Sequence, residues 1–495
     1  MIGWLRAVLA VAFMAGSVSA QPPHPPRPEP VLLTLHPAEE PIPALKYRLV
    51  PERRDLVPGN AALFYHRAIL KIVRANLQRP PHPESASSPP GSAPAEKIAE
   101  WASCPIDQLD AEQARSTLSL YQTALQEAEL GAFRRECEWE FDTRPEGLTL
   151  LLDEIQEMRS LARLVAVRAR LAILDGDVDT AMHWIQVGYT LGRHTASGPT
   201  LIQALVGIAI QRVMSGCLQD LIQRPGTPSL YWALVNRPRP MVDLGRALEG
   251  ERYLLERELP KLSELERGAW SQAEARRFVD ELETKLAYWT AGPAPGSPTT
   301  FSLAALGRRL GIAAIAAKLY PDAKRRLIAQ GRPADLVERM PVVQVAVLDT
   351  LLTYRSARDH LYKWMSLPYW QAQTGLDRAS SLGLETPEAK LANPLLSLFA
   401  LLVPPLKAAL LGQVNLERQL DALQTIEAIR LAAKRDGTLP PTLEALPVPA
   451  PLDPATGQPF VYRLQDKTAQ LSAPIPSGAP DHPSYEVRFI LKLAP

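Results

Sequence analysis

The chain has almost no means of covalent or metal-based stabilisation: three cysteines, Cys104, Cys137 and Cys217, stand in 495 residues. No C-x-x-C pair exists, so structural zinc lacks its usual ligand spacing. An odd number leaves at least one thiol unpaired within the chain. Charge of one sign is missing as well, because 54 basic and 53 acidic side chains leave a net +1. With no single-sign field, no nucleic-acid partner is expected. Arginine outnumbers lysine roughly threefold, yet Arg168, Arg170, Arg308 and Arg309 are spread over separate helical segments and read as solvated faces. Catalytic signatures are absent too. There is no histidine pair one helical turn apart with a glutamate, no nucleophile elbow, no serine-lysine pair, no phosphate-cradling loop and no dinucleotide fingerprint. His183 and His194 fall on one helical face, but eleven residues of rise separate them by roughly 16 Å, too far for one metal ion. His66, beside Tyr65, reads as a core or boundary histidine. No metal or cofactor is expected.

What is present begins at the N-terminus. Arg6 supplies a short positive region, Ala7 to Met14 an apolar one, and Val18-Ser19-Ala20 the small side chains that a signal peptidase reads. Residues 1–20 therefore predict a cleavable export signal, a mature chain beginning near Gln21, and a periplasmic or extracellular location. The apolar stretch is too short to remain as a membrane span. Residue 21 is not cysteine, which gives no support to a lipoprotein anchor.

Residues 21–45 are proline-rich and predict an extended tether. Pro80 to Pro94 predicts a loop. Helical periodicity governs residues 46–290, the expected first helical domain. Leu118, Tyr121, Leu125, Ala128 and Ala132 line one face, with Asp110 as cap and Gln113 returning the bond. If Asp110 to Arg135 is one helix it spans roughly 39 Å, which keeps Cys104 and Cys137 apart unless the helix breaks at Gly131. Leu148 to Leu174 is apolar around much of its circumference and predicts a buried element. Asp175-Gly176-Asp177 ends it, and the next helix carries Ala181, Trp184, Ile185, Gly188 and Leu191 on one side. The spacing is similar to one tetratricopeptide-like hairpin, but it does not recur 34 residues later.

Further helices are expected over Pro199–Gln223, Pro240–Leu259 and Ser271–Thr290, the last opened by a Ser271/Glu274 capping box. Residues 291–300 read as a linker and 301–436 as a second helical block. Leu395 to Leu411 is strongly apolar but is interrupted by Pro404, Pro405 and Lys407, and reads as a buried helix pair rather than a span of ~20 residues. Residues 437–495 form a small α+β tail. Gly437 closes a helix, and Phe460–Leu464 and Thr468–Ser472 flank a Gln465-Asp466-Lys467 turn before a last alternating run from Tyr485 to Leu491. The fold class is mainly α: a multi-helix bundle or short repeat-like stack with a small C-terminal antiparallel sheet.

The helix Leu416–Lys434, the Gly437-Thr438-Leu439-Pro440-Pro441 exit and Asp453-Pro454-Ala455-Thr456-Gly457-Gln458-Pro459-Phe460-Val461-Tyr462 resemble the passage from spine helix to sheet in type II secretion pseudopilins. Most of the chain precedes this helix, so the resemblance implies the local fold and not assembly into a fibre. Leu49-Val50-Pro51-Glu52-Arg53-Arg54-Asp55, Pro58-Gly59-Asn60-Ala61-Ala62, Leu161-Ala162-Arg163-Leu164 and Pro225-Gly226-Thr227-Pro228-Ser229-Leu230-Tyr231-Trp232 together are similar to a family of uncharacterised secreted proteins of planctomycete bacteria. That likeness implies a location and a fold, and no site residues.

One group of acids invites a chemical reading. Glu136, Glu138, Glu140 and Asp142 alternate with Trp139 and Phe141, and Glu138 with Asp142 would be the carboxylate pair of an envelope hydrolase. The alternative for the same residues is an exposed edge or loop. Trp184, Tyr231 and Trp232 are the aromatic candidates for an interaction surface. The whole points first to an exported helical scaffold that binds an envelope protein, without catalysis, and second to the hydrolase.

Overall fold

The computed structural model describes residues 30–78, 92–139, 148–291, 303–381, 393, 395–396, 406–480, 482 and 485–494. The predicted signal segment, the Pro80–Pro90 part of the expected loop, residues 292–300 of the expected linker, Pro404, Pro405 and Asp142 lie outside them. Two compact units emerge. Among the described residues, one comprises 30–248 together with 409–494, the other residues from 249 to 408. The first unit is thus discontinuous in sequence, since the end of the helical block returns to it.

In the first unit, strand β1 (Val31–Leu35) is followed by β2 (Val57–Asn60) and helices α1 (Ala61–Leu77), α2 (Ser92–Trp101), α3 (Ala111–Ser119) and α4 (Gln122–Ala132). Strand β3 (Arg134–Glu136) pairs in parallel with β2. The single helix expected over Asp110–Arg135 is therefore two. It breaks at Leu120–Tyr121 and not at Gly131, because Tyr121 is drawn inward and its hydroxyl donates to Asn76 Oδ1 at 2.6 Å. The expected face is kept: Leu118, Tyr121, Leu125, Ala128 and Ala132 are all buried. Asp110 caps α3 through the Gln113 amide, but the Gln113 side chain accepts from Lys97 instead of returning the bond. All three cysteines are free thiols.

Helices α5 (Leu148–Leu174), α6 (Val178–Ala196) and α7 (Leu201–Ile222) form the centre of this unit. Gly176, at φ +72, turns α5 into α6, and the Asp177 amide returns to Ala172 O. Such a left-handed stop is open to glycine at no steric cost. The glycines of α6 face α7: a Cβ on Gly188 would strike Met214, and one on Gly207 would lie 2.4 Å from Gly192 O. Arg170 departs from its expected solvated role. It is buried on α5, where it pairs with Asp220 at 2.9 Å and donates to Trp101 O and Cys104 O. One helix among the described residues, α7, is long and apolar enough to cross a membrane, and 67% of that window is buried inside the protein.

After the short α8 (Tyr231–Val235), α9 (Gly245–Glu258) begins five residues later than the sequence predicts. The intervening arm carries Arg237 and Arg239 into ion pairs, and the Asp243 carboxylate caps the Gly245 amide. The second unit contains α10 (Gln272–Ala291), α11 (Leu303–Ala329), α12 (Ala334–Arg339), α13 (Val342–Met365) and α14 (Tyr369–Ser381). Its core joins Phe278, Leu282, Ala323, Leu327, Val345, Leu348 and Leu351. The capping box forms in full, with Glu274 accepting from the Ser271 amide at 2.8 Å and Ser271 Oγ accepting from the Glu274 amide at 3.2 Å. Buried Gln344 fixes the approach to α10 through Trp270 N, Leu265 O and Gly268 O.

The long helix α15 (Leu406–Asp436) ends at Gly437, φ +70, as its sequence predicts. Strands β4 (Val461–Gln465), β5 (Thr468–Ala473) and β6 (Val487–Leu493) form the antiparallel part of a four-stranded sheet, with Asp466 at positive φ in the hairpin. The fourth strand corrects the tether reading. Val31–Leu35 adds in parallel to β6, with Leu33 opposite Leu491, so the order is β1-β6-β5-β4. Alternation buries Leu33 and Leu35 beside Leu471, Phe489 and Leu491, and that apolar face outweighs the extended, solvated tendency of the flanking prolines.

Candidate functional site

Pairing of β2 with β3 places the segment Cys137–Trp139 beside the start of α1. Asn60 caps α1 through the Ala62 amide and also exchanges hydrogen bonds with the Glu138 backbone, at 2.8 and 2.9 Å. Glu138 is the one described member of the predicted carboxylate pair. Its side chain points into solvent, 3.7 Å from Arg246. The apolar surround that makes a carboxyl a general acid is not built around it. The edge reading fits Glu136, exposed at the end of β3, and Glu138, exposed just beyond it.

Behind that edge lies an aromatic cluster. Trp139 stacks on Tyr65 with ring centroids 6.2 Å apart, meets the His66 ring edge-on, and donates its Nε1 to His194 O at 2.7 Å. Tyr65 Oη lies 2.7 Å from His194 Nδ1. Burial, with the nearby Arg193 charge adding to it, lowers the His194 pKa to about 3, and burial holds the Tyr65 phenol protonated. The tyrosine is therefore the donor, Nδ1 the acceptor, and the imidazole proton resides on Nε2. Cys137 stands nearby, but burial pushes its thiol up to about 12, which leaves no thiolate for nucleophilic work. The cluster pins the β3 edge to α1 and α6. Cys217 is likewise buried, its thiol also raised to about 12.

His183 faces elsewhere. Its Nε2 is 2.8 Å from Glu129 Oε1, its ring stacks on Phe133, and that hydrogen bond holds the Glu129 carboxyl below its usual range. The two histidines of α6 thus serve separate partners, and no group of three metal-ligating side chains occurs among the described residues. Glu129 and Phe133 line an open depression of about 460 Å³ together with Val57, Gln126, Leu130 and Arg134. Arg134 lies over the Phe64 ring at 4.2 Å.

The predicted aromatic surface does not assemble. Trp184 is buried, with the Arg168 guanidinium over its ring. Tyr231 is buried too, its hydroxyl donating to Pro449 O at 2.7 Å. Trp232 is half-buried against Tyr231 and donates to Glu40. These rings are part of the packing: Tyr231 and Trp232 bond to distant stretches of chain, and Trp184 packs against Arg168 of the preceding helix.

Two features have no counterpart in the sequence reading. The first is a ladder of buried charges on α15. Arg237 reaches Glu417 and Asp421 at 3.2 and 2.7 Å, Arg418 grips Asp453 with two bonds, and Arg430 pairs with Glu427 at 2.7 Å. Backbone groups complete the set: Met241 N donates to Glu417, Leu230 N to Glu427, and Arg418 donates to Tyr485 O and Pro474 O. Burial raises the Glu417 pKa against the opposing pull of Arg237. Charges matched this closely and enclosed by protein organise the strands and arms around α15.

The second feature is the outer face of α1. Its core side uses Ala61, Ala62, Tyr65, Ala68 and Ile72, packed closely against α4, where a Cβ on Gly131 would come within 2.8 Å of Tyr65. The large residues Leu63, Leu70, Val73 and Leu77 are turned out, with relative exposures of 59%, 68%, 41% and 80%. They share an arc of about 80° at 100° per residue. Exposed Arg67 and Arg74 border them, and α1 contains no acidic residue. Comparison of the chain with known protein families, curated proteins and solved structures finds no match.

Proposed function

We propose that this is an exported helical scaffold that binds a protein of the cell envelope through the outer face of α1. The observation that carries the reading is the stripe of Leu63, Leu70, Val73 and Leu77, four large apolar side chains on one helical face that the fold leaves in solvent. Single exposed leucines are ordinary on any protein; three leucines and a valine within one helical arc support a docking surface. Export follows from the Arg6-to-Ala20 segment and accords with the likeness to the secreted planctomycete family. The α15-to-sheet passage serves the scaffold as a pseudopilin-like local fold, its helix enclosed by the unit and not offered to neighbouring copies.

The test is a photo-crosslinking residue placed at Leu70, with a second protein carrying it at exposed Gln330, each expressed in its native envelope. A discrete adduct from Leu70 and none from Gln330 is the expected result. Equal or absent adducts would refute the docking face.

A further inference from the structure

Resting on that docking reading, we infer that the α1 face takes one kind of occupant: an amphipathic helix of a partner protein with leucine-type residues at heptad spacing and acidic residues flanking them. Leu63, Leu70 and Leu77 are seven residues apart, which makes them successive a positions. Val73 then falls at d, as does His66, half-buried against Trp139 at the edge of the face, and Arg67 and Arg74 both fall at e. In a helix pair the a and d residues form the apolar seam, and the e and g residues select the partner by charge. Here both e positions are guanidinium groups.

The surroundings make the face cationic. Glu127, on the neighbouring α4, is shared by Lys71 at 2.5 Å and Arg67 at 3.9 Å, which leaves the Arg67–Lys71–Glu127 group with a net positive charge, and Glu129 is engaged by His183 at 2.8 Å. Arg134 adds another guanidinium beside Phe64. A second copy of this chain does not satisfy the pattern. Antiparallel pairing would set Arg67 and Arg74 against their own counterparts, and parallel pairing would set them against the g positions Ala62, Ile69 and Asn76, none of them acidic. A partner helix with Glu or Asp at the facing positions does satisfy it, and like-charged competitors are rejected by the same two arginines. The exposed row covers two heptads, about 21 Å of helix, so the seam is short and charge contributes a large share of the selectivity.

Binding of the full exported chain to three designed peptides of three heptads each decides the matter. All carry leucine at a and d; the flanking positions are Glu, Lys or Gln. The Glu peptide is expected to bind at least about tenfold more tightly than the Lys peptide, with the preference reversed by Arg67→Glu/Arg74→Glu and binding lost in Leu70→Asp. Both variants alter exposed positions, so unchanged thermal unfolding serves as the folding control. Three results overturn the inference: Glu and Lys peptides binding alike, self-association that Leu70→Asp abolishes, or anionic phosphatidylglycerol vesicles binding more strongly than any peptide. Equal peptide binding with a retained Leu70 adduct would leave the docking face standing and remove only the acidic partner. Loss of both adduct and peptide binding would remove the docking face as well.

Discussion

His194 should make the protein sensitive to mild acid, by an amount the structure lets us work out. Its folded pKa, lowered to about 3 by burial and by Arg193, lies below the ordinary histidine value of about 6.5. Between those values the unfolded chain binds a proton at this residue and the folded chain does not, so stability falls as pH drops from 6.5 toward 3. At pH 5 the loss relative to pH 7.5 is about 2 kcal/mol, rising by about 1.4 kcal/mol for each further pH unit. His194→Gln removes the titration while keeping an acceptor for Tyr65 Oη, which lies 2.7 Å from Nδ1. Urea unfolding of both proteins at pH 7.5 and 5.0 gives the comparison. Groups whose pKa moves the other way, such as Asp220 and Glu417, both raised by burial, are common to both proteins and cancel. The wild-type protein should lose about 2 kcal/mol more than the variant on acidification. An equal loss in both, or a His194 ring that titrates near 6.5 by NMR, would refute the account.

Four further outcomes are expected. Gly207→Ala drives a methyl to within 2.4 Å of Gly192 O and 2.6 Å of Ala196 Cβ and should cost about 1–3 kcal/mol by urea midpoint; Gly216→Ala on the same helix, where the added methyl meets nothing within 4 Å, should be neutral or stabilising. Arg418→Met strands the buried Asp453 carboxylate and should cost about 3–5 kcal/mol, with Arg418→Met/Asp453→Leu recovering much of it; a double variant no more stable than the single would contradict the reading. Ser271→Ala opens the capping box of α10 and should cost about 1 kcal/mol, measured by thermal unfolding. On the proposed export, N-terminal sequencing of the protein recovered from its native cells should begin near Gln21, and recovery of Met1 would count against signal cleavage.

Features legible in the sequence were those whose causes are local. The Asp110 cap, the Gly176 and Gly437 stops, the Ser271/Glu274 box and the Asp466 hairpin each depend on residues within a few positions of one another. The strand Val31–Leu35 was hidden because its partner, β6, lies more than 450 residues away and the prolines around it speak for an extended chain. The ladder on α15 was hidden for a related reason. Glu417, Arg418, Asp421, Glu427 and Arg430 look like the solvated surface of a helix until Arg237 and Asp453 arrive from elsewhere in the chain. Periodicity measures how polarity is distributed around a helix, and it cannot show that every side is enclosed. Tyr231 failed as a surface candidate on the same ground, since its partner Pro449 lies 218 residues away in the sequence.

The α1 face escaped for a different physical reason. Apolar residues occur on both sides of that helix, and by pattern alone the larger ones belong inside, where burying a leucine contributes roughly 1.5–3 kcal/mol. The structure inverts this assignment. Ala61, Ala62, Tyr65, Ala68 and Ile72 are the buried side of α1, and the close α1–α4 approach, with the Tyr65 ring over Gly131 where a Cβ would come within 2.8 Å, sets which side of the helix faces the core. Once the alanine side is committed, the leucines have only the solvent side left. Their exposure is therefore dictated by the α1–α4 contact, and it persists at a cost that polar residues at positions 63, 70 and 77 would remove without disturbing the core. Leu70→Asp should accordingly leave stability unchanged or raise it, as read by the urea midpoint, while abolishing docking. A Leu70→Asp protein destabilised by the ~2–5 kcal/mol typical of a core leucine would mean that the stripe is part of the packing and that the docking argument has no foundation.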